Sequence, residues 1–151
     1  MDSKYDIRFI IYAEDDCDDQ EVLQAILKDL RPDIKVDCVC NGDELLALLA
    51  EQQPDLLFLD IVMPVKGGLE CLVEIRKQER FQRLPIIVYS GTTNPHHVQE
   101  AYEKGANLFL IKLVSYRELS ETLSATLDLD WRDPEAVKNQ YHINGRYVVF
   151  A

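Results

Sequence analysis

The sequence has no long hydrophobic run, and this absence excludes a membrane-spanning segment. No apolar stretch in its 151 residues approaches the roughly 20 that a transmembrane helix requires. Positive charge is also scarce: 16 lysines and arginines stand against 27 aspartates and glutamates, for a net charge of -11. Such a chain can neutralise few phosphates, which argues against a nucleic-acid partner. The start, MDSKYDIRF, is too short and too acidic for a signal peptide, so we expect a cytoplasmic protein.

The four cysteines lack the spacings that indicate cysteine chemistry. Cys38 and Cys40 lie two apart in IKVDCVC, and Cys17 and Cys71 are isolated, so we find neither a zinc-binding pattern nor a Cys-x-x-Cys redox motif. We interpret all four as small thiols that are buried or partly buried in the fold.

Short apolar runs alternate with amphipathic stretches along the chain. The runs IRFIIYA, IKVDCVC, DLLFLD, LPIIVYS and NLFLI predict five strands, and a helical stretch follows each of them. In the first helical stretch the apolar residues share one face (Val22, Leu23, Ile26, Leu27, Leu30). Five βα units predict an α/β fold with a five-stranded parallel sheet of order 2-1-3-4-5 and helices on both faces, the flavodoxin-like arrangement.

An acidic stretch, AEDDCDDQ, follows the first predicted strand and divides into two parts. Asp18 and Glu21 have the spacing of a capping box at the start of the first helix, and Asp19 favours the positive end of the helix dipole. The remaining acids precede this cap and lie in the loop at the strand end (Glu14, Asp15, Asp16). The acids at the helix start therefore have a structural explanation, whereas the acids in the loop require a different one.

Asp60 lies at the end of the third predicted strand, DLLFLD. In a sheet of this order, strands 1 and 3 flank the point where strand order reverses, and ligands bind beyond their carboxyl ends. Carboxylates collected at that point suit a hard cation such as Mg²⁺, which takes oxygen ligands. A solvated acidic loop is the alternative, and the predicted position of Asp60 favours the metal site.

The residues at the predicted strand ends resemble those of the bacterial response-regulator receiver family. That family carries an acidic pair after strand 1, a phosphorylated Asp after strand 3, Ser or Thr after strand 4 and Lys after strand 5. This sequence has matching residues at all four places, in register (Glu14-Asp15, Asp60, Ser90, Lys112). Met63-Pro64 and Gly68 also fit the family's loop after the phosphoacceptor.

The resemblance implies a phosphorylation-dependent signalling switch of a two-component system or phosphorelay. Asp60 would accept a phosphoryl group from a sensor histidine kinase or a phosphotransfer protein. Mg²⁺ would be held by Glu14, Asp15, Asp60 and the backbone carbonyl of Val62. Such a protein catalyses only its own phosphoryl transfer and dephosphorylation, and it signals by protein–protein contact.

The resemblance also assigns roles to the last two strand ends. Ser90 and Lys112 would contact the phosphoryl oxygens. Ser90 would move toward the phosphoryl group, and Phe109, three residues before Lys112, would turn inward as the switch aromatic. A different function, that of a receiver-like adaptor that binds partners without being phosphorylated, is the alternative.

Lys112 is followed by Leu113 where the family usually has proline. The family's peptide bond at this place is commonly cis, and before leucine a cis bond would cost about 3 kcal/mol. The bond is therefore either trans, with Lys112 aimed differently, or cis and strained.

The resemblance covers roughly residues 6 to 128, so we predict a receiver domain over 1–128 and an extension over 129–151. In the extension, Asn144-Gly145 lies between strand-like runs and predicts a β-hairpin with a type I′ turn. This hairpin either packs on its own domain or forms a homodimer or kinase-docking element.

Overall fold

The computed structural model describes residues 5–113 and 115–150 and contains a five-stranded parallel sheet. The strands lie in the order β2-β1-β3-β4-β5 (β1, Phe9–Ala13; β2, Lys35–Val39; β3, Leu56–Leu59; β4, Ile86–Ser90; β5, Leu108–Ile111). A helix follows each strand (α1, Cys17–Leu30; α2, Gly42–Glu51; α3, Gly68–Arg76; α4, Pro95–Lys104; α5, Tyr116–Leu127). The predicted fold and strand order are confirmed. No helix in the described ranges is long and apolar enough to cross a bilayer.

The sheet is covered on both faces because successive side chains of a strand point to opposite sides. On one face, α2, α3 and α4 pack against a buried cluster that includes Ile11, Leu57 and Phe109. On the other face, α1 and α5 pack against a cluster that includes Tyr12 and Leu108. The apolar runs read as strands in the sequence are therefore buried from two sides, and polar residues concentrate where the strands end.

The start of α1 differs from the capping pattern predicted for it. Asp16 is the N-cap, and its Oδ1 accepts hydrogen bonds from the backbone N–H of Asp18 at 2.8 Å and of Asp19 at 3.2 Å. The predicted capping box of Asp18 and Glu21 is wrong, because Asp16 is the N-cap and both of those residues lie inside α1. Val22 is 40% exposed, so the buried face of α1 is narrower than predicted.

The cysteine prediction is correct for two of the four residues. Cys71 is buried and Cys38 is half-buried, whereas Cys17 and Cys40 are exposed. The two exposed thiols lie where an element begins or ends, Cys17 as the first residue of α1 and Cys40 directly after β2, so neither is covered by a neighbouring layer.

The described residues of the extension, 129–150, form one helix and a small hairpin. The hairpin strands are antiparallel, and the turn residues Asn144 and Gly145 have φ of 51° and 77°, as a type I′ turn requires. The predicted hairpin is therefore present (β6, His142–Ile143; β7, Arg146–Tyr147). The helix α6, Pro134–Gln140, was not predicted, because seven residues are too short to show a helical period.

The extension packs on its own chain. Trp131 is 1% exposed within the cluster that α1 and α5 cover. The ring of Tyr147 stacks on Tyr102 of α4, with the ring centroids 4.6 Å apart. Beyond β7, the backbone N–H of Phe150 donates to the carbonyl oxygen of Phe109 at 2.9 Å. The last described residues therefore lie along the outer edge of β5.

Candidate functional site

The carboxyl ends of β1 and β3 bring together the three acids predicted to hold a metal. One carboxylate oxygen from each of Glu14, Asp15 and Asp60 lies within 4.8 Å of the others. The register of the strands causes this proximity: Ala13 pairs with Leu59, so the chain leaves both strands at the same level. Glu14 and Asp60 are 1% and 5% exposed, whereas Asp15 is exposed. Three carboxylates placed in this way fit the oxygen ligands that Mg²⁺ prefers.

The loop after β3 folds back onto Asp60. The N–H of Val62 donates to Asp60 Oδ1 at 3.3 Å, and the N–H of Gly68 donates to the carbonyl oxygen of Ile61 at 2.9 Å. A Cβ on Gly68 would lie 2.0 Å from the carbonyl oxygen of Asp60, so only glycine fits where α3 begins. Val65 has a φ of 69°, which is rare for a β-branched residue and indicates a strained loop tip. The carbonyl of Val62 as a metal ligand stays a prediction.

Lys112, just beyond β5, donates to three carboxylates within the described part of the chain. Its Nζ lies 2.9 Å from Asp19 Oδ2 and 3.1 Å from Asp60 Oδ2, and it also contacts Glu14 Oε1. An ammonium has three protons, so these three partners use all of them. The peptide bond between Lys112 and Leu113 is trans. The cis alternative is therefore wrong, and with the trans bond the Lys112 ammonium is directed at the acids.

Asp19 is the residue of this site that sequence reasoning missed. Its position in the first turn of α1 is sufficiently explained by a favourable interaction with the helix dipole. Its contact with Lys112, however, joins positions that are 93 residues apart. No local spacing rule relates two positions so distant. The predicted strand order places Lys112 at the same edge of the sheet as the ends of β1 and β3, with β4 between β3 and β5, but the direction of the Asp19 side chain depends on how α1 packs.

Burial and neighbouring charges shift the pKa values of Glu14 and Lys112. Burial raises the pKa of the Glu14 carboxyl to about 7; hydrogen bonds from Lys112 and from the Asp16 N–H oppose this rise, and the charge of Asp60 adds to it. Burial lowers the pKa of Lys112, but hydrogen bonds to Glu14 and Asp19 and the charge of Asp60 outweigh it, so the pKa lies above its usual value. Lys112 therefore keeps its positive charge at neutral pH.

Ser90 and Phe109 occupy neighbouring strands beside this cluster. Ser90 is 2% exposed, and its Oγ accepts a hydrogen bond from the N–H of Thr92 at 3.3 Å. Phe109 is fully buried, and its N–H donates to the hydroxyl of Tyr102 at 2.9 Å. The ring of Phe109 thus already lies inside the core in this structure, and its role in a switch stays a prediction.

Comparison with known proteins identifies the family. Residues 10–124 match the family model of the response regulator receiver domain. The chain belongs to this family. The recognition of a response-regulator receiver from its strand-end residues is therefore confirmed, and the sheet order is the one that the family's solved structures share.

Curated relatives match this receiver over most of its length. It is 29% identical over 136 residues to the probable C4-dicarboxylate response regulator DctR of Bacillus subtilis, covering 81% of this chain and 59% of that protein. It is also 29% identical over 119 residues to the response regulator Rcp1 of Synechocystis, covering 74% of this chain and 81% of Rcp1. The receiver thus spans less than two thirds of DctR but most of Rcp1.

Solved structures of receivers have the same fold. The phosphorylated cyanobacterial phytochrome response regulator RcpA is 26% identical, with a TM-score of 0.75 over 80% of this chain and 91% of RcpA. The receiver domain of the histidine kinase PA1611 from Pseudomonas aeruginosa is 27% identical, with a TM-score of 0.69 over 82% of this chain and all of that one. That domain holds a magnesium ion in its active-site cleft. The predicted Mg²⁺ cofactor is supported by this homologous site and by the acidic cluster of the present receiver.

Proposed function

We propose that this receiver is a phosphorylation-dependent signalling switch of a two-component system or phosphorelay, with Asp60 as its phosphoacceptor. The observation that carries the proposal is the grouping of Asp60 with two further carboxylates within 4.8 Å and with the Lys112 ammonium at 3.1 Å. Phosphoryl transfer requires an in-line nucleophile and positive charge around the phosphoryl oxygens, and little covalent chemistry from other groups. This cluster provides a nucleophile and one fixed positive charge.

Asp60 would act as the nucleophile. One of its carboxylate oxygens bonds to the phosphorus of the donor, the bond from phosphorus to the leaving group breaks, and an aspartyl phosphate remains. Glu14, Asp15, Asp60 and the carbonyl of Val62 would hold Mg²⁺. When bound, this ion supplies positive charge that offsets the carboxylates and the phosphoryl oxygens.

Lys112 and Ser90 would contact the phosphoryl group after transfer. Lys112 keeps its charge and can donate a charge-assisted hydrogen bond to a phosphoryl oxygen, and the hydroxyl of Ser90 can donate a second one. The donor would be a histidine kinase or a phosphotransfer protein. The phosphorylated state of the homologue RcpA supports the proposal that this receiver accepts a phosphoryl group.

Labelling by a small phosphodonor in the presence and absence of metal tests the proposal. The purified receiver, incubated with radiolabelled acetyl phosphate and Mg²⁺, should become labelled. Chelation with EDTA should slow labelling by at least about 100-fold, because the positive charge of the ion contributes several kcal/mol to the transition state. Labelling that proceeds equally fast in EDTA would contradict the proposed chemistry. A receiver that stays unlabelled with Mg²⁺ but binds a kinase would instead be an adaptor.

The response to phosphorylation should pass through Ser90. If its hydroxyl turns to a phosphoryl oxygen, the N–H of Thr92 loses the hydrogen bond that Ser90 Oγ accepts from it. The loop that leads to α4 should then move. We expect beryllofluoride, which mimics the phosphoryl group, to shift the NMR amide signals of residues 90 to 112 in the presence of Mg²⁺. Unchanged signals in this range would reject the switch through Ser90 and Phe109, even if Asp60 is phosphorylated.

A further inference from the structure

Asp19 contacts the ammonium of Lys112 without belonging to the group of predicted metal ligands. Its Oδ2 lies 2.9 Å from Lys112 Nζ, and its side chain is 40% exposed. Its own N–H is bound by the N-cap Asp16, so the first turn of α1 fixes the backbone from which the side chain reaches Lys112. The contact therefore joins the start of α1 to the end of β5.

The other two partners of Lys112 have a second use. Glu14 and Asp60 belong to the carboxylate cluster that can hold a metal ion, and Asp60 is the proposed phosphoacceptor. When these two carboxylates bind another ligand, Lys112 loses hydrogen-bond acceptors. Asp19 is the partner that stays free of both roles. A lysine side chain has a long, flexible stem, so the position of its ammonium depends on the partners that remain.

We propose that Asp19 is a positioning residue that keeps the Lys112 ammonium beside Asp60 during phosphoryl transfer. This inference rests on the proposed function of Asp60. Asp19 touches neither the donor nor the transferred group, and it acts through Lys112. Its loss leaves Lys112 present but free to swing out of the site.

Two neighbouring substitutions separate this role from a general effect of charge. Asp19→Asn and Asp18→Asn each remove one negative charge from the first turn of α1. Within the described residues, the Asp18 side chain has no hydrogen bond or ion pair, whereas Asp19 holds Lys112. At saturating Mg²⁺, we expect Asp19→Asn to lower the maximal rate of labelling by acetyl phosphate about tenfold, as misplacement of a catalytic group does. The matched Asp18→Asn variant should stay within about twofold of the wild type, and Asp19→Glu should recover part of the lost rate.

The NMR signal of the Lys112 ammonium gives a readout that does not depend on phosphorylation. Hydrogen bonds slow the exchange of its protons with water, so the signal should weaken in Asp19→Asn and persist in Asp18→Asn. Equal labelling rates in the two variants, or an unchanged ammonium signal in Asp19→Asn, would overturn the positioning role while leaving Asp60 as phosphoacceptor. A wild-type receiver that is not labelled at all would overturn the proposed function and this inference with it.

Discussion

Substitution of Asp60 by Asn should reduce labelling by acetyl phosphate or a histidine kinase roughly a thousandfold or more, as loss of a nucleophile does in enzymes. The amide has nearly the shape of the carboxylate and can keep the hydrogen bond from the N–H of Val62, but its oxygen is a poor nucleophile. The change also removes one of the three negative charges that would hold Mg²⁺. Radiolabel incorporation over time, at saturating Mg²⁺, measures the effect.

A matched variant controls for the loss of one acid at the same edge of the sheet. Asp43 is exposed in the first turn of α2, so Asp43→Asn removes an equal charge without touching the cluster. We expect this variant to be labelled at close to the wild-type rate. If Asp60→Asn is labelled as fast as Asp43→Asn, Asp60 is not the acceptor and another side chain must carry the phosphoryl group.

Substitution of Arg76 by Met should lower the free energy of unfolding by about 3 kcal/mol, because buried acceptors lose their partners. Arg76, the last residue of α3, donates through one guanidinium to the carbonyl oxygens of Gly105 at 2.9 Å, Phe81 at 2.7 Å and Leu84 at 2.8 Å, and to Asn107 Oδ1 at 2.8 Å. It therefore joins α3 to the segments before β4 and β5. Burial lowers its pKa to about 10, which leaves it charged at neutral pH.

Urea unfolding measures this loss as a lower midpoint with an unchanged slope. Lys77, the next residue, is exposed and serves as the control, because Lys77→Met removes the same charge without breaking these bonds. We expect the control to change the free energy of unfolding by no more than about 0.5 kcal/mol. A similarly small change in Arg76→Met would show that its acceptors find other partners, water included.

The alternation of apolar runs with amphipathic stretches was enough to predict the sheet, because strands covered on both faces must be apolar throughout. The position of Asp60 followed from the same pattern, since the first polar residue after such a run lies at the sheet edge. The sequence does not show which acid at the start of α1 is the N-cap. Asp16 and Asp18 are both good N-cap residues by type, and only the backbone of the folded loop shows that Asp16 makes the bonds.

The sequence by itself determined the parallel sheet, the ends of its strands and the location of Glu14, Asp15 and Asp60 at those ends. The sheet follows from the hydrophobic period, and the location of the acids follows from which residues end each strand. The tertiary structure decided which side chains meet across long separations. Asp19 reaches Lys112 over 93 positions, and Arg76 binds Asn107 over 31. Such contacts depend on how helices pack on the sheet, and local spacing carries no information about that packing.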